Sequence, residues 1–328
     1  MAVTIRDVAK KCGMSVATVS RVVNNSDLVS DKTKVKVNKV IKELGYVPNT
    51  IARGLSTKKT NTIGIIIPDI SNPFFGELIS GAEEQADIEG YDIIISDSGY
   101  DSEKIFKDVV NLKSRKVDGI IMSPANVDER TFDYLYEKKF PFVLGGPALY
   151  KYPLNYVSVD NIEGAKIAVE HLIKLNHKRI AYVTNVNSYF NKLRYEGYKK
   201  AILYNGFELD ESICFRGDPY ENVKKMQKMG QEKPTAIFAF NDYTALSYME
   251  ALEVNGIKVP DDMAIVGFDN IRMASFYSIA LTTIDNRQHE FGKLAVNILL
   301  ENINSDTDKT QQIIKKPELI IRRSCGSK

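Results

Sequence analysis

The chain has 328 residues, more than one ordinary compact domain holds, and its 44% hydrophobic and 26% charged residues describe a soluble globular protein of two or three domains. The net charge of +2 hides an asymmetry: residues 1–60 carry twelve Lys and Arg against four Asp and Glu, a balance of +8, while the rest carry 32 against 38, a balance of −6. No apolar run approaches the roughly 20 residues of a membrane span, MAVTIRDVAKKCG lacks a signal-peptide core, and the three Cys and three His show no metal or redox spacing.

A cytoplasmic protein without membrane partner, metal or cofactor is therefore expected, with a basic head suited to a polyanion whose counterions it would release. In that head, Thr4-Ile-Arg-Asp7 places Thr at an N-cap with an acid three residues on, which predicts a helix over about Ile5 to Lys11 with Ile5, Val8 and Ala9 on one face. Gly13 breaks it, and Ser15 can cap a second helix, Val16 to Asn24. A third runs from near Ser30-Asp31 to Leu44, with Val35, Val40, Ile41 and Leu44 as its inner face and Gly45 as its stop. Helix, tight turn, helix and supporting helix is the layout of helix-turn-helix modules.

In the second helix, Val19, Val22 and Val23 fall within about one third of the circumference and would pack inward, so that packing outweighs their poor propensity. Ala17, Ser20, Arg21 and Asn24 point the other way. That face is short and polar, which lets a helix backbone approach base edges: Arg21 could fork onto a guanine, Ala17 could meet a thymine methyl, and Ser15, Thr18 or Ser20 could bind phosphate or bases. Thr4 and Val16, at the starts of their helices, complete the candidate DNA-contacting set. A small surface helix in a bundle would leave the charge excess unexplained.

From Thr62 onward, apolar strands alternate with helical stretches: TIGIIIPD, YDIIISDS, DGIIMSPA, PFVLGG and YVSVD, then RIAYVTN, SICFRG, AIFAFN, AIVGFD and LTTID. Continuous apolar strands separated by amphipathic helices predict an α/β body of doubly wound parallel sheets, buried on both faces, and ten strands suit two lobes. Ligands in such sheets sit beyond the strands' carboxyl ends, so the candidates are the polar residues that end apolar runs. These are Asp69 with Asn72, Phe74 and Phe75, then Ser123, Gly145-Gly146, Asp160, Asn185, Asn241-Asp242 and Asp269-Asn270. Acids, amides and aromatics converging in a cleft suit sugar hydroxyls and a ring face. Plainer readings stand beside them: Asp242 caps the helix that follows it, Asp69 does similar work, Phe74 or Phe75 is core, Arg194 pairs with Glu196, and Asp160 and Asp269 anchor crossovers. No Gly-x-Ser-x-Gly elbow, phosphate loop or Gly-x-Gly-x-x-Gly occurs, so no catalytic residue is assigned and an enzyme is not expected.

TIRDVAKKCGMSVATVSRVVNN with VNKVIKELGYVPNTIARGLSTKKTNTIGIIIPDISNPFF resembles the start of a lactose-repressor-family transcription regulator, notably the catabolite-control and maltose-type sugar repressors. The likeness continues in AIFAFNDYTAL, AIVGFDN and LTTID. It implies a helix-turn-helix DNA-binding domain at 1–48, a hinge helix and linker at 49–61, and a periplasmic-binding-protein-like (type I) body at 62–328. The N-lobe would comprise about 62–160 and 286–317, and the C-lobe about 161–285 and 318–328, with crossings near Asp160-Asn161, Asp285-Asn286 and Pro317-Glu318. In the hinge, Asn49 would cap, Ala52 would let two hinges approach, and Leu55, beside Arg53, would wedge into the minor groove.

The resemblance also assigns Arg194, Asn241 and Asp269 to the effector pocket and brings Asn72, Phe74 and Phe75 to its entrance. It implies a repressor that binds a pseudopalindromic DNA operator as a homodimer under control of a small effector, a sugar or sugar phosphate. The alternative is a catabolite-control regulator that needs a serine-phosphorylated phosphocarrier protein. A stand-alone sugar-binding protein would need export and has no use for the basic head. Gly145-Gly146-Pro147 departs from relatives with a polar pocket side chain there, which leaves the sugar open. No leucine heptad follows RRSC, so a dimer is expected rather than a tetramer.

Overall fold

The computed structural model describes residues 3–23, 28–46, 59–123, 125–147, 150–151, 153–185, 187–305 and 310–326. The chain divides into two compact units, Met1–Thr60 and Asn61–Lys328. In the first unit, α1 (Ile5–Cys12), α2 (Val16–Val23) and α3 (Asp31–Leu44) form a small bundle. Thr4 and Asp7 make a reciprocal capping box, in which Asp7 Oδ2 accepts from the Thr4 N–H at 2.9 Å. Gly13 ends α1 at φ +64°, a conformation that lets its N–H reach the Ala9 and Lys10 carbonyls. Ser15 Oγ accepts from the Thr18 N–H at 3.1 Å and opens α2.

Val8, Ala9, Cys12, Val19, Val22, Val37 and Val40 form the core of this bundle. Val35, expected inside, is 70% exposed, and Val37 takes its place at 0%. The reason is spacing: Val37, Val40, Ile41 and Leu44 follow the i, i+3, i+4, i+7 stripe, and Val35 lies outside it.

The second unit contains two six-stranded sheets. The first carries β1 (Thr62–Ile67), β2 (Asp92–Asp97), β3 (Gly119–Met122), β4 (Phe142–Leu144), β5 (Tyr156–Val159) and, much later in the chain, β11 (Gln312–Lys315). Their order is β11-β5-β4-β3-β1-β2, all parallel. The second carries β6 (Ile180–Thr184), β7 (Cys214–Arg216), β8 (Ala236–Ala239), β9 (Ala264–Asp269), β10 (Thr282–Asp285) and β12 (Glu318–Ile320), ordered β12-β10-β9-β8-β6-β7, with β12 antiparallel to β10. Strands such as β9, buried at every position, need helices on both faces, which is why their sequences are continuously apolar. The α/β class expected from sequence is the one observed. The short edge strands β11 and β12 were not among the ten anticipated, because QIIK and ELI are half-exposed and carry little apolar signal.

The connecting helices are α4 (Pro73–Ile88), α5 (Ser102–Ser114), α6 (Glu129–Glu137), α7 (Asn161–Lys174), α8 (Tyr189–Tyr204), α9 (Pro219–Lys228), α10 (Asp242–Val254) and α11 (Gln288–Asn304). The chain leaves the first sheet after β5, returns after β10, and passes once more to the second between β11 and β12. α4 and α11 touch backbone to backbone: a Cβ on Gly81 would lie 1.9 Å from the His289 carbonyl oxygen, and one on Gly292 would lie 2.1 Å from that of Leu78. Among the described residues, no helix is long and apolar enough to cross a membrane and no side-chain cluster could hold a metal ion.

Candidate functional site

In the first unit, α2 is held by Val19 and Val22, and its opposite face is bare. Ser15, Val16, Ala17 and Arg21 are exposed, and Thr18 and Ser20 are half-buried. Thr4 is exposed too, but its side chain is engaged in the cap of α1. Asn24, Asn49, Ala52, Arg53 and Leu55 lie outside the described residues. An eight-residue helix whose outer face has one long cation among short side chains can enter a major groove closely.

In the second unit, a cleft of about 610 Å³, counting the space at its open mouth, lies at the carboxyl ends of the strands of both sheets. Asn72, Phe74, Phe75, Ser123, Arg194, Asn241 and Asp269 line it. Asn72 caps α4, its Oδ1 accepting from the Phe74 N–H at 3.1 Å, which sets the two Phe rings edge to face at 4.9 Å. Asn241 caps α10 in the same way through Thr244. Both caps consume Oδ1, so what either amide can offer a ligand is its Nδ2 donors.

Two expected effector residues stand outside the cleft. Asp160 is exposed and caps α7 through the Glu163 N–H at 3.0 Å. Asn185 is exposed and accepts from the Thr244 hydroxyl at 3.2 Å. Each directly follows a strand, but its side chain serves the neighbouring helix. The cleft instead recruits Tyr100, Phe190, Phe291 and Asn286, which the sequence reading passed over. Asn286 was legible as the polar residue after LTTID; Tyr100, three residues beyond the end of β2, had no such signal. Burial, with Asp69 and Asp269 nearby, pushes the Tyr100 phenol up to about 12, so it stays a neutral donor.

Arg194 is the centre of this wall. It is 4% exposed, lies 3.6 Å over the Phe268 ring and 4.8 Å from that of Phe240, and donates three ways. Nε reaches Asn161 Oδ1 at 2.9 Å, one terminal nitrogen reaches the Phe240 carbonyl at 2.7 Å, and the other reaches Asp269 Oδ1 at 3.0 Å. Asp269 Oδ1 also accepts from Asn286 Nδ2 at 3.1 Å, and the Gln288 side-chain amide donates to the Asp269 carbonyl. The φ of Asp269 is +118°, a strained value for a residue with a Cβ, held here by these bonds. The alternative pairing of Arg194 with Glu196 does not occur; Glu196 meets Lys199 instead.

Asp242 does not cap α10. It is fully buried behind the cleft, where Oδ1 accepts from Thr283 Oγ1 at 2.5 Å and Oδ2 accepts from the Ile271 N–H at 2.9 Å. Gly267 makes the room: a Cβ there would sit 2.2 Å from Asp242 Oδ1. Burial, then the nearby Asp269, raises the Asp242 carboxyl well above its ordinary range. A raised acid binds its proton more tightly in the folded chain, so its contribution to stability is greatest below the ordinary Asp range and declines as pH rises toward the raised folded value. Asp242→Asn can offer its carbonyl to Ile271 and its amide to Thr283 without that dependence. Urea midpoints of the variant, relative to the parent, should therefore improve between about pH 5 and pH 8; a pH-independent difference would contradict the assignment.

A small-molecule cleft and a helix with a bare polar reading face, joined in one chain, define a class: the DNA-binding regulator controlled by an effector. Residues 4–49 match the family model of bacterial regulatory proteins, lacI family, and residues 169–325 match that of the periplasmic binding protein-like domain. The chain belongs to the lacI family of transcription regulators. It is 37% identical to the HTH-type transcriptional regulator DegA of Bacillus subtilis (strain 168), over 99% of this chain and 98% of that one. It is also 37% identical to catabolite control protein A of Priestia megaterium, over 94% of each. Among solved structures it resembles the lac repressor dimer bound to operator and the anti-inducer ONPF, with a TM-score of 0.85 and 29% identity over 99% of both chains.

Proposed function

We propose that the chain acts in the cytoplasm as a homodimeric repressor, two copies of α2 reading the half-sites of a pseudopalindromic operator, and that its effector is a neutral polyhydroxylated molecule of sugar size. On this reading residues 1–48 form the DNA-binding head, 49–61 the hinge, and 62–328 the sensing body, whose bound molecule leaves unchanged.

The observation that carries the choice of effector is the Arg194–Asp269 pair. The cation lining the cleft is already matched by a carboxylate at 3.0 Å, and the polar lining around it is amide, hydroxyl and phenol. Those groups suit sugar hydroxyls, and the Phe rings suit a sugar's apolar face. A phosphate would enter a pocket with no unmatched cation among its lining residues, at a substantial desolvation cost. A neutral sugar is therefore favoured over a sugar phosphate. Catabolite control through a Ser-phosphorylated phosphocarrier protein is a second reading, favoured by the 37% identity to catabolite control protein A.

The test is selection of a binding site from random duplex DNA, followed by anisotropy titrations with neutral sugars, sugar phosphates or the phosphorylated phosphocarrier added. A twofold-symmetric site, whose affinity changes with a neutral sugar alone, is expected. Arg21→Ala should weaken that site about tenfold or more and relax discrimination at one base pair per half-site. Selected DNA without symmetry would reject the dimeric reading, and a response confined to the phosphocarrier would favour the second.

A further inference from the structure

Two of the three bonds of Arg194 lead to places where the chain passes between sheets. We infer that Asn161 is the positioning residue that fixes the angle between the lobes: its amide locks the first crossing and ties that crossing to Arg194.

Asn161 is 4% exposed and is the first residue of α7, two positions after β5 ends. It does not line the cleft. Its Nδ2 donates backward to the Val159 carbonyl at 3.0 Å and to Ser158 Oγ at 3.3 Å, both in the last strand before the crossing. Its Oδ1 accepts from Arg194 Nε at 2.9 Å, which belongs to α8 of the second lobe. One planar amide thus grips the end of the first sheet with its donors and the cleft arginine with its acceptor. The other end of the guanidinium, through Asp269, meets Asn286 and Gln288 at the second crossing. Arg194 is braced between the first and second of the three crossings, and Ser158, which Asn161 holds, itself lines the cleft.

Two consequences separate this from ordinary support. Removing the amide should widen the range of lobe angles more than it lowers stability. Replacing it with a carboxylate should fail as well, because Asn161→Asp keeps an acceptor for Arg194 but sets an anion against the Val159 carbonyl where a donor stood. The regulatory meaning rests on the cleft being the effector site, whereas the lobe geometry does not, so the measurement is made without ligand.

Spin labels at Lys107→Cys on α5 and Lys225→Cys on α9, both exposed, report the interlobe distance in the full-length chain by double electron–electron resonance, with half-buried Cys214 replaced by Ser and the labelled chain diluted into excess unlabelled parent so that a dimer holds one labelled copy. The parent should give one narrow distribution, and Asn161→Ala and Asn161→Asp should each broaden it about twofold or more. Asn222→Ala is the control: that amide is 2% exposed and bonds Tyr248 and Arg216 inside the second lobe, so its loss should lower the melting temperature without broadening the distance. Ser158→Ala, a milder change that removes one acceptor, should broaden it slightly and keeps the test open if an Asn161 variant does not fold. An unchanged width in folded Asn161 variants, an unchanged width in Ser158→Ala where those variants do not fold, or equal broadening by Asn222→Ala, overturns the inference.

Discussion

Asp269→Ala is expected to destabilise the chain by about 3–5 kcal/mol and to abolish effector binding. The loss has little to do with the strength of the ion pair itself. Removing the carboxylate leaves the guanidinium of Arg194 buried over Phe268 and Phe240 with its Asp269 partner gone and one of three bonds broken. The Asn286 amide also loses its acceptor. The double variant Arg194→Met, Asp269→Ala removes the stranded charge and should recover a good part of the stability without restoring effector binding. Urea denaturation of the three proteins decides it: if the single variant unfolds within about 1 kcal/mol of the parent, the pair is not the buried brace described here.

Gly81→Ala should have the next largest effect, a loss of about 3 kcal/mol, at the upper end of what overpacking costs. The new methyl would lie 1.9 Å from the His289 carbonyl oxygen and 2.7 Å from its carbon, and backbone cannot rotate aside as a side-chain tip can. α4 and α11 would have to separate. Gly76, on the same helix, supplies the comparison, since a Cβ there meets nothing within 4 Å. Gly76→Ala should be neutral or stabilising by up to about 1 kcal/mol. Thermal unfolding of both separates close approach from helix propensity; equal effects would refute the contact.

How much of this was legible depends on what each residue type announces. The capping box at Thr4 and Asp7, the stop at Gly13 and the inward valines of α2 are local rules, and the folded chain obeys them. The α/β class follows from strands that are apolar at consecutive positions. The cleft was read less completely, because the end of a strand says where a side chain begins and not what it turns toward. Asp160 and Asn185 directly follow strands and yet attend to helices. Asn241 and Asp242 stand side by side: Asn241 lines the cleft as expected but also takes the cap expected of Asp242, and the acid is buried. The burial of Asp242 depends on Gly267, Thr283 and Ile271, which come together with it only in the folded sheet. Val35 and Val37 show the same limit on a small scale, since two valines two positions apart cannot both face a narrow core.

The interleaving of the two sheets has a consequence for how the body comes into being. β5 ends at Val159, and the strand that covers its outer edge, β11, begins at Gln312, with the whole of β6 to β10 encoded between them. A ribosome therefore delivers most of the later lobe before the earlier one can be completed. A nascent or prematurely terminated product that stops short of Gln312 presents β5 as a bare margin, open to pairing with another molecule.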